Sequence, residues 1–203
     1  MTVKKWYLIR HGETDFNKKR FFYGKADVSI NETGKEQAAL LHQLMKGRNI
    51  SRVYTSQLKR TQETAAIIFP DHTPTAYKAL NERDFGLWEG RTANEIQAAF
   101  PLVWEEWLEN PFKVTPSKAE PFDKFKARVW SIVQEIRETA DSEIVIVGHL
   151  GVLRLIYQFL VNTEADFWSI DIPQGTVLLL EDNDPWEETL IKEEAHLHHS
   201  QDK

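Results

Sequence analysis

The sequence predicts an α/β fold of three layers, a mostly parallel sheet with helices on both faces, and three observations predict it. Short apolar runs of strand length alternate with stretches whose apolar residues recur at helical spacing, the pattern that builds parallel strands joined by right-handed crossovers. Residues 143–147 are apolar almost throughout, as a strand covered on both sides requires. Two of the apolar runs lead straight into a histidine beside a glycine, and in such sheets sites lie beyond the carboxyl ends of the strands.

The elements follow in order. Residues 3–9 form an apolar and aromatic run that stops at Arg10-His11-Gly12, a buried strand entering a polar loop. Asn31-Glu32-Thr33-Gly34 offers helix-start chemistry, and Ala38, Leu41, Leu44 and Met45 then recur at helical spacing until Gly47. Residues 52–55 read as a second strand, and Leu58, Ala65, Ile68 and Phe69 as a helix that Pro70 ends. Residues 75–80 suit a third strand and 93–100 a short helix. The stretch holding Pro101, Pro111, Pro116 and Pro121 reads as an excursion over the surface. Phe122, Phe125, Val129, Ile132, Val133 and Ile136 lie on one face of a helix over 123–139. A strand over 143–147, a helix over 152–160 and a strand over 176–180 complete the set, and residues 193–203 read as a frayed end.

A chain of 203 residues fits one domain, 1–203, with a lid or excursion at about 91–121. With 41% hydrophobic and 28% charged residues it has the balance of a globular protein and too many aromatics for disorder. No cysteine is present, which excludes disulfides, thiolate metal sites and a cysteine nucleophile and is compatible with the cytoplasm. The N-terminal apolar stretch, 6–9, is too short for a signal peptide, and no run reaches the roughly 20 residues that span a bilayer. A net charge of −6 argues against nucleic acid as a partner, since phosphate backbones call for a basic face. Nothing in the sequence sets the oligomeric state.

Four segments carry reactive chemistry. In Arg10-His11-Gly12-Glu13-Thr14, glycine lets the backbone approach a ligand, and arginine holds a phosphate and opposes protonation of the neighbouring imidazole, keeping it nucleophilic. A structural Arg-His pair beside a strand fits those residues too. Arg60 falls in the first turn of a helix, where free N–H groups favour anions, though a solvated surface arginine reads the same way. Residues 81–90 mix acids, aromatics and glycines; a carboxyl beside a phosphate dianion keeps its proton through like-charge repulsion, as a general acid must, and Glu82, Asp84 and Glu89 all qualify. Gly148-His149-Leu150-Gly151 supplies a second imidazole at a helix entrance, suited to a phosphoryl oxygen or to burial against backbone. No histidine pair has zincin spacing, and the tail histidines His196, His198 and His199 suggest no more than adventitious metal binding.

Arg10-His11-Gly12-Glu13-Thr14 with Asn17, the segment with Arg20, Gly24 and Asp27 leading to residues 31–38, Thr55-Ser56-Gln57-Leu58-Lys59-Arg60 with residues 61–65, the acid loop over 80–90 and Val147-Gly148-His149-Leu150-Gly151 together resemble the histidine phosphatase superfamily, the phosphoglycerate mutase-like family. Ordered motifs spanning about three quarters of the chain are specific where any one is weak. The resemblance implies a phosphoglycerate mutase-like fold. It also implies a phosphohistidine intermediate on His11, with Arg10, Arg60 and His149 around the phosphoryl oxygens, Glu82 as proton donor, and Asn17, Gly24 and Thr14 on the phosphate and substrate side. It implies no cofactor and no metal, and a small phosphomonoester as partner.

Within the family, the mutases carry an arginine pair after the acid loop, whereas residues 91–121 here hold only Arg91, Lys113 and Lys118 as cations. The segment Tyr23-Gly24 with Asp27 looks closer to the small phosphatases, alpha-ribazole phosphatases among them. The alternatives are a phosphoglycerate mutase and a catalytically silent phosphate-binding regulatory module. Phe21, Phe22, Trp104, Trp107 and Phe112 suit an apolar substrate wall or ordinary packing.

Overall fold

The computed structural model describes residues 4–139 and 142–193. Its sheet has six strands: β1 (Lys5–Arg10), β2 (Arg52–Ser56), β3 (Thr75–Tyr77), β4 (Glu143–Gly148), β5 (Val177–Glu181) and β6 (Glu187–Ile191), in the order β3-β2-β4-β1-β5-β6. The block β3-β2-β4-β1 is parallel, while β5 and β6 add an antiparallel edge.

The period-two alternation of the strands fixes the layers. Tyr7, Ile9, Val53, Val145 and Val147 face one way and pack on Ala38 and Leu41 of α2 (Glu32–Leu44) and on Ala65 and Ile68 of α3 (Lys59–Ile68). Trp6, Leu8, Tyr54, Ile144 and Ile146 face the other way. They pack on Val129, Ile132 and Ile136 of α6 (Phe122–Thr139) and on Leu153 and Ile156 of α7 (Leu150–Leu160). Each such fully buried aliphatic side chain stabilises the fold by about 1.5–3 kcal/mol. The expected three-layer α/β sandwich is the observed one.

The crossover from β1 runs through α2 on one face, whereas β4 continues into α7 on the other. The adjacent carboxyl ends of β1 and β4 therefore open a crevice between diverging chains, the place where open α/β sheets bind ligands.

One expectation needs correction, and three elements add to the predicted set. Strand β3 stops at Tyr77, and Lys78–Leu80 is a 3-10 turn, because Arg128 Nη1 draws the carbonyls of Ala79 (2.8 Å) and Asn81 (2.7 Å) away from any ladder. The proline-rich excursion holds α5 (Pro101–Glu109), directly after α4 (Ala93–Ala99); Pro101 begins this helix, since a first-turn proline has no N–H to waste. The short α1 (Asp15–Lys18) is held by a capping box of Thr14 and Asn17. Strand β6, Glu187–Ile191, is almost wholly exposed and lacks the apolar alternation that would have announced it. The tail histidines His196, His198 and His199 lie outside the described residues.

Candidate active site

Register brings the two imidazoles together. The parallel ladder pairs Ile9 with Val147 and Arg10 with Gly148, so His11 and His149 leave neighbouring strands at the same height, and His11 N donates to Gly148 O at 2.9 Å. Their rings lie 5.3 Å apart between centroids and both are buried. Nδ1 of His11 lies 2.8 Å from Gly12 O. A carbonyl only accepts, so Nδ1 carries the proton and the lone pair sits on Nε2.

His149 has the opposite arrangement. Arg60 Nε donates to its Nδ1 at 3.2 Å, which makes Nδ1 the lone-pair nitrogen, and Nε2 donates to Ser56 Oγ at 2.8 Å. Burial, followed by the charge of Arg60, holds both histidines well below the usual imidazole range. Arg10 lowers both further, and for His11 the bond to Gly12 only partly offsets this. Both rings are neutral near pH 7.

Arg60 is fully buried in the first turn of α3. Its Nη1 and Nη2 donate to Ala26 O and Gly24 O, each at 2.7 Å, and its guanidinium lies 4.7 Å from the Tyr23 ring centroid. Gly24 has to be glycine: a Cβ there would sit 1.5 Å from Arg83 O. The Arg10 Nε is buried with no hydrogen-bond partner, an arrangement that costs free energy unless something supplies an acceptor. Neither Arg10 nor Arg60 forms an ion pair among the described residues.

The three acids of the acid loop have different surroundings. Glu89 accepts four backbone N–H groups, from Gly24 (2.8 Å), Lys25 (3.2 Å), Ala26 (3.2 Å) and Phe85 (2.9 Å), and so staples the two loops that frame Arg60. Asp84 pairs with exposed Lys25 at 3.0 Å and accepts from Gly86 N. Glu82 reaches the crevice, accepting from Gly151 N in the first turn of α7 at 3.0 Å and from Arg83 N at 2.9 Å. Arg128, paired with Glu120 at 2.7 Å, also donates to Glu82 O and so braces the loop that presents this carboxyl.

The structure gathers His11, Arg10, Arg60, His149 and Glu82, the set that the family resemblance implies, at the crevice. Thr14 and Asn17 sit beside them and bond to one another. Thr14 Oγ1 also meets Tyr23 OH at 2.8 Å, and Gln174 Nε2 donates to Asn17 Oδ1 and His11 O, both at 3.1 Å. Sequence reasoning missed Ser56, Tyr23 and Gln174 as site residues. Gln174, which precedes β5, carries no local signal, because only the fold brings it to His11. Of the aromatic residues, Trp107 and Phe112 line a cavity beside Glu82. Trp107 also packs with Phe22, Trp88 and Trp104 in one cluster, and Phe21 lies edge-on to Phe16. Among the described residues no three histidine or acid side chains gather as a metal site needs, and no helix is long and apolar enough to cross a membrane.

Known proteins are similar to this chain in sequence and in fold. Over 169 residues the chain is 31% identical to phosphoserine phosphatase 1 of Hydrogenobacter thermophilus, covering 81% of this chain and 80% of that one. Over 173 residues it is 31% identical to the adenosylcobalamin/alpha-ribazole phosphatase of Escherichia coli, covering 83% and 85%. The alpha-ribazole phosphatase of Shigella flexneri superposes with a TM-score of 0.84 at 29% identity over 93% of this chain and 95% of that one. A phosphoglycerate mutase of Bacillus anthracis shares the fold, with a TM-score of 0.75 at 21% identity over 95% and 93%. The model for the histidine phosphatase superfamily (branch 1) matches residues 6–190, and the chain, a phosphatase, belongs to that family.

Proposed function

We propose that the chain hydrolyses a small phosphomonoester through a phosphohistidine on His11. One observation carries this reading: the buried guanidinium of Arg60 and the half-buried one of Arg10, neither with a carboxylate partner, stand against two neutral imidazoles, one of which keeps its Nε2 lone pair. A phosphoryl group is the acceptor-rich, anionic electrophile that such a set complements.

Nε2 of His11 attacks phosphorus in line as the bond to the ester oxygen breaks, and Glu82 gives its proton to the departing alkoxide. Arg10 and Arg60 meet the charge on the phosphoryl oxygens, and His149 joins them by giving up the bond between its Nε2 and Ser56. Water then attacks the phosphohistidine and passes a proton to Glu82 by the same path reversed, releasing phosphate and restoring the Nε2 lone pair. Thr14, Asn17 and Gly24 shape the phosphate side.

Residues 1–203 act as one domain, in which the excursion at 91–121 closes the substrate side, supported by Trp107 and Phe112 at the cavity. The missing cysteines suit a cytoplasmic enzyme, and the −6 charge suits a small metabolite and not a nucleic acid. Alpha-ribazole phosphate is one candidate substrate, supported by the names of two relatives, and phosphoserine, in the name of a third, is another. The absence of an arginine pair in residues 91–121 favours transfer to water over the mutase reaction.

The test is a rapid quench at alkaline pH with phosphoryl-labelled p-nitrophenyl phosphate. Acid-labile label on the wild type, none on His11→Ala, and turnover unchanged by EDTA are expected. Turnover with label on a carboxylate, or turnover that EDTA abolishes, would overturn the proposal.

A further inference from the structure

Beside Glu82 and Gly151 lies a cavity of about 190 Å³ that the phosphate chemistry leaves unused. Its walls are rings: Phe112 and Trp168 stack at 5.7 Å and 19°, and Phe122 and Phe167 meet edge to face at 5.5 Å. Phe112 is 39% and Trp168 47% exposed, so the stacked pair stands at the mouth while the rest is covered. An apolar cavity of about 150 Å³ is enough to take up benzene, so this one admits a single substituted ring.

Two buried donors in this wall have no acceptor. Arg83 is 5% exposed, and its guanidinium lies 5.7 Å from the ring centroid of Phe85 and 5.6 Å from that of Phe122. Its Nε donates to Glu120 O at 2.9 Å, but its Nη2 is buried without a hydrogen-bond partner. The Trp107 Nε1 is likewise buried and unpaired. A buried cation and an indole N–H among aromatic rings call for a ligand that brings both a π-face and an anionic acceptor.

We propose that this cavity receives the alcohol part of the substrate and selects a planar aromatic ring bearing an anionic acceptor, which lies against Arg83 and Trp107. The proposal rests on the phosphatase reading, because the cavity is continuous with the carboxyl that protonates the leaving oxygen. It gives the remote part of the substrate something to bind, and that binding energy can be used to orient the ester at His11.

The experiment compares kcat/KM for 3- and 4-carboxyphenyl phosphate with phenyl phosphate and phosphoserine, in the wild type and in Arg83→Met, Arg83→Lys and Trp107→Phe. The better carboxyphenyl isomer is expected to exceed phenyl phosphate by about tenfold or more in the wild type, the scale of one charge-assisted hydrogen bond. That ratio should fall towards unity in Arg83→Met, recover in part in Arg83→Lys and drop severalfold in Trp107→Phe. Comparing that ratio across the four proteins cancels the intrinsic reactivity of the leaving groups, which is the same in each. A ratio that Arg83→Met leaves unchanged, or a wild-type preference for phosphoserine over every aryl ester, overturns the proposal.

Tryptophan-fluorescence titration of the wild type with 3- and 4-hydroxybenzoate against phenol needs no turnover and no variant. Tighter binding of a hydroxybenzoate by about tenfold is expected, and equal binding overturns the subsite. If no ester is hydrolysed while a hydroxybenzoate still binds selectively, the phosphatase reading fails and the subsite stands.

Discussion

The loops after β1 and β4 present the same side chain at the same height, yet they make different reagents of it. His11 spends its Nδ1 proton on the carbonyl of the next residue, so its Nε2 is left to react. His149 is held at both nitrogens, by Arg60 on one side and Ser56 on the other. Burial and the Arg60 charge keep both rings neutral, so protonation does not distinguish them; hydrogen bonding does. A glycine after the histidine, whose own carbonyl turns back to Nδ1, makes a nucleophile, whereas a histidine that begins a helix beside a serine becomes an oriented donor.

The largest effect should come from exchanging these roles. His11→Ala removes the attacking atom and should lower kcat by about 10⁴-fold or more, with no phosphoenzyme. His149→Ala removes one donor and the acceptor that orients Arg60 Nε, and should cost about 10²–10³-fold while still forming labelled enzyme. Quench-flow with labelled substrate reads both, and a labelled His11→Ala with an unlabelled His149→Ala would invert the assignment.

Ser56 sharpens the comparison at a smaller scale. Its Oγ lies 2.8 Å from both His149 Nε2 and Thr61 Oγ1, and either hydroxyl of that pair can be the donor. Reversing the chain would put the proton on His149 Nδ1 at the expense of the bond from Arg60 Nε. Ser56→Ala should lower kcat by about fivefold, the value of one neutral hydrogen bond of about 1 kcal/mol, with KM little changed. An equal loss in His149→Ala and in the double variant would show that Ser56 acts through the ring. Additive losses would show that it does not.

Most of this contrast was legible in the sequence. The apolar runs ending at Arg10 and at Gly148 placed both histidines at strand ends, and helical periodicity gave α2, α3, α6 and α7. The choice among Glu82, Asp84 and Glu89 was not legible from residue types, because it depends on which backbone N–H groups each carboxylate meets after folding. Glu89 is occupied by the loop at 24–26, which lies 63 to 65 residues away in the chain and has no local pattern to announce it. Ser56 and Gln174 were hidden for the same reason, their roles being set by contacts with residues distant in the chain. Residue type gave Arg83 no role and left Trp107 between substrate wall and packing; what the sequence cannot show is that both carry an unpaired donor and line one cavity.

The smallest effect on turnover concerns acid. In the unfolded chain each imidazole takes up a proton near pH 6.5, while in the fold both resist protonation until well below that value. Between those limits the unfolded state binds more protons, so the stability associated with the neutral rings is complete above about pH 6.5 and is lost as pH falls, at roughly 1 kcal/mol per pH unit for each ring. The kcat of the wild type should accordingly hold below pH 6.5, where an ordinary imidazole nucleophile would already be protonated, even as chemical denaturation shows the fold weakening. Carboxylates also contribute to that slope, so the measurement is the difference between the wild type and His11→Asn or His149→Asn across pH 5–6.5. Each variant should lose about one ring's share of the slope. If His11→Asn keeps the full wild-type slope, the ring is not held neutral by its site, and its contrast with His149 has to rest on hydrogen bonding alone.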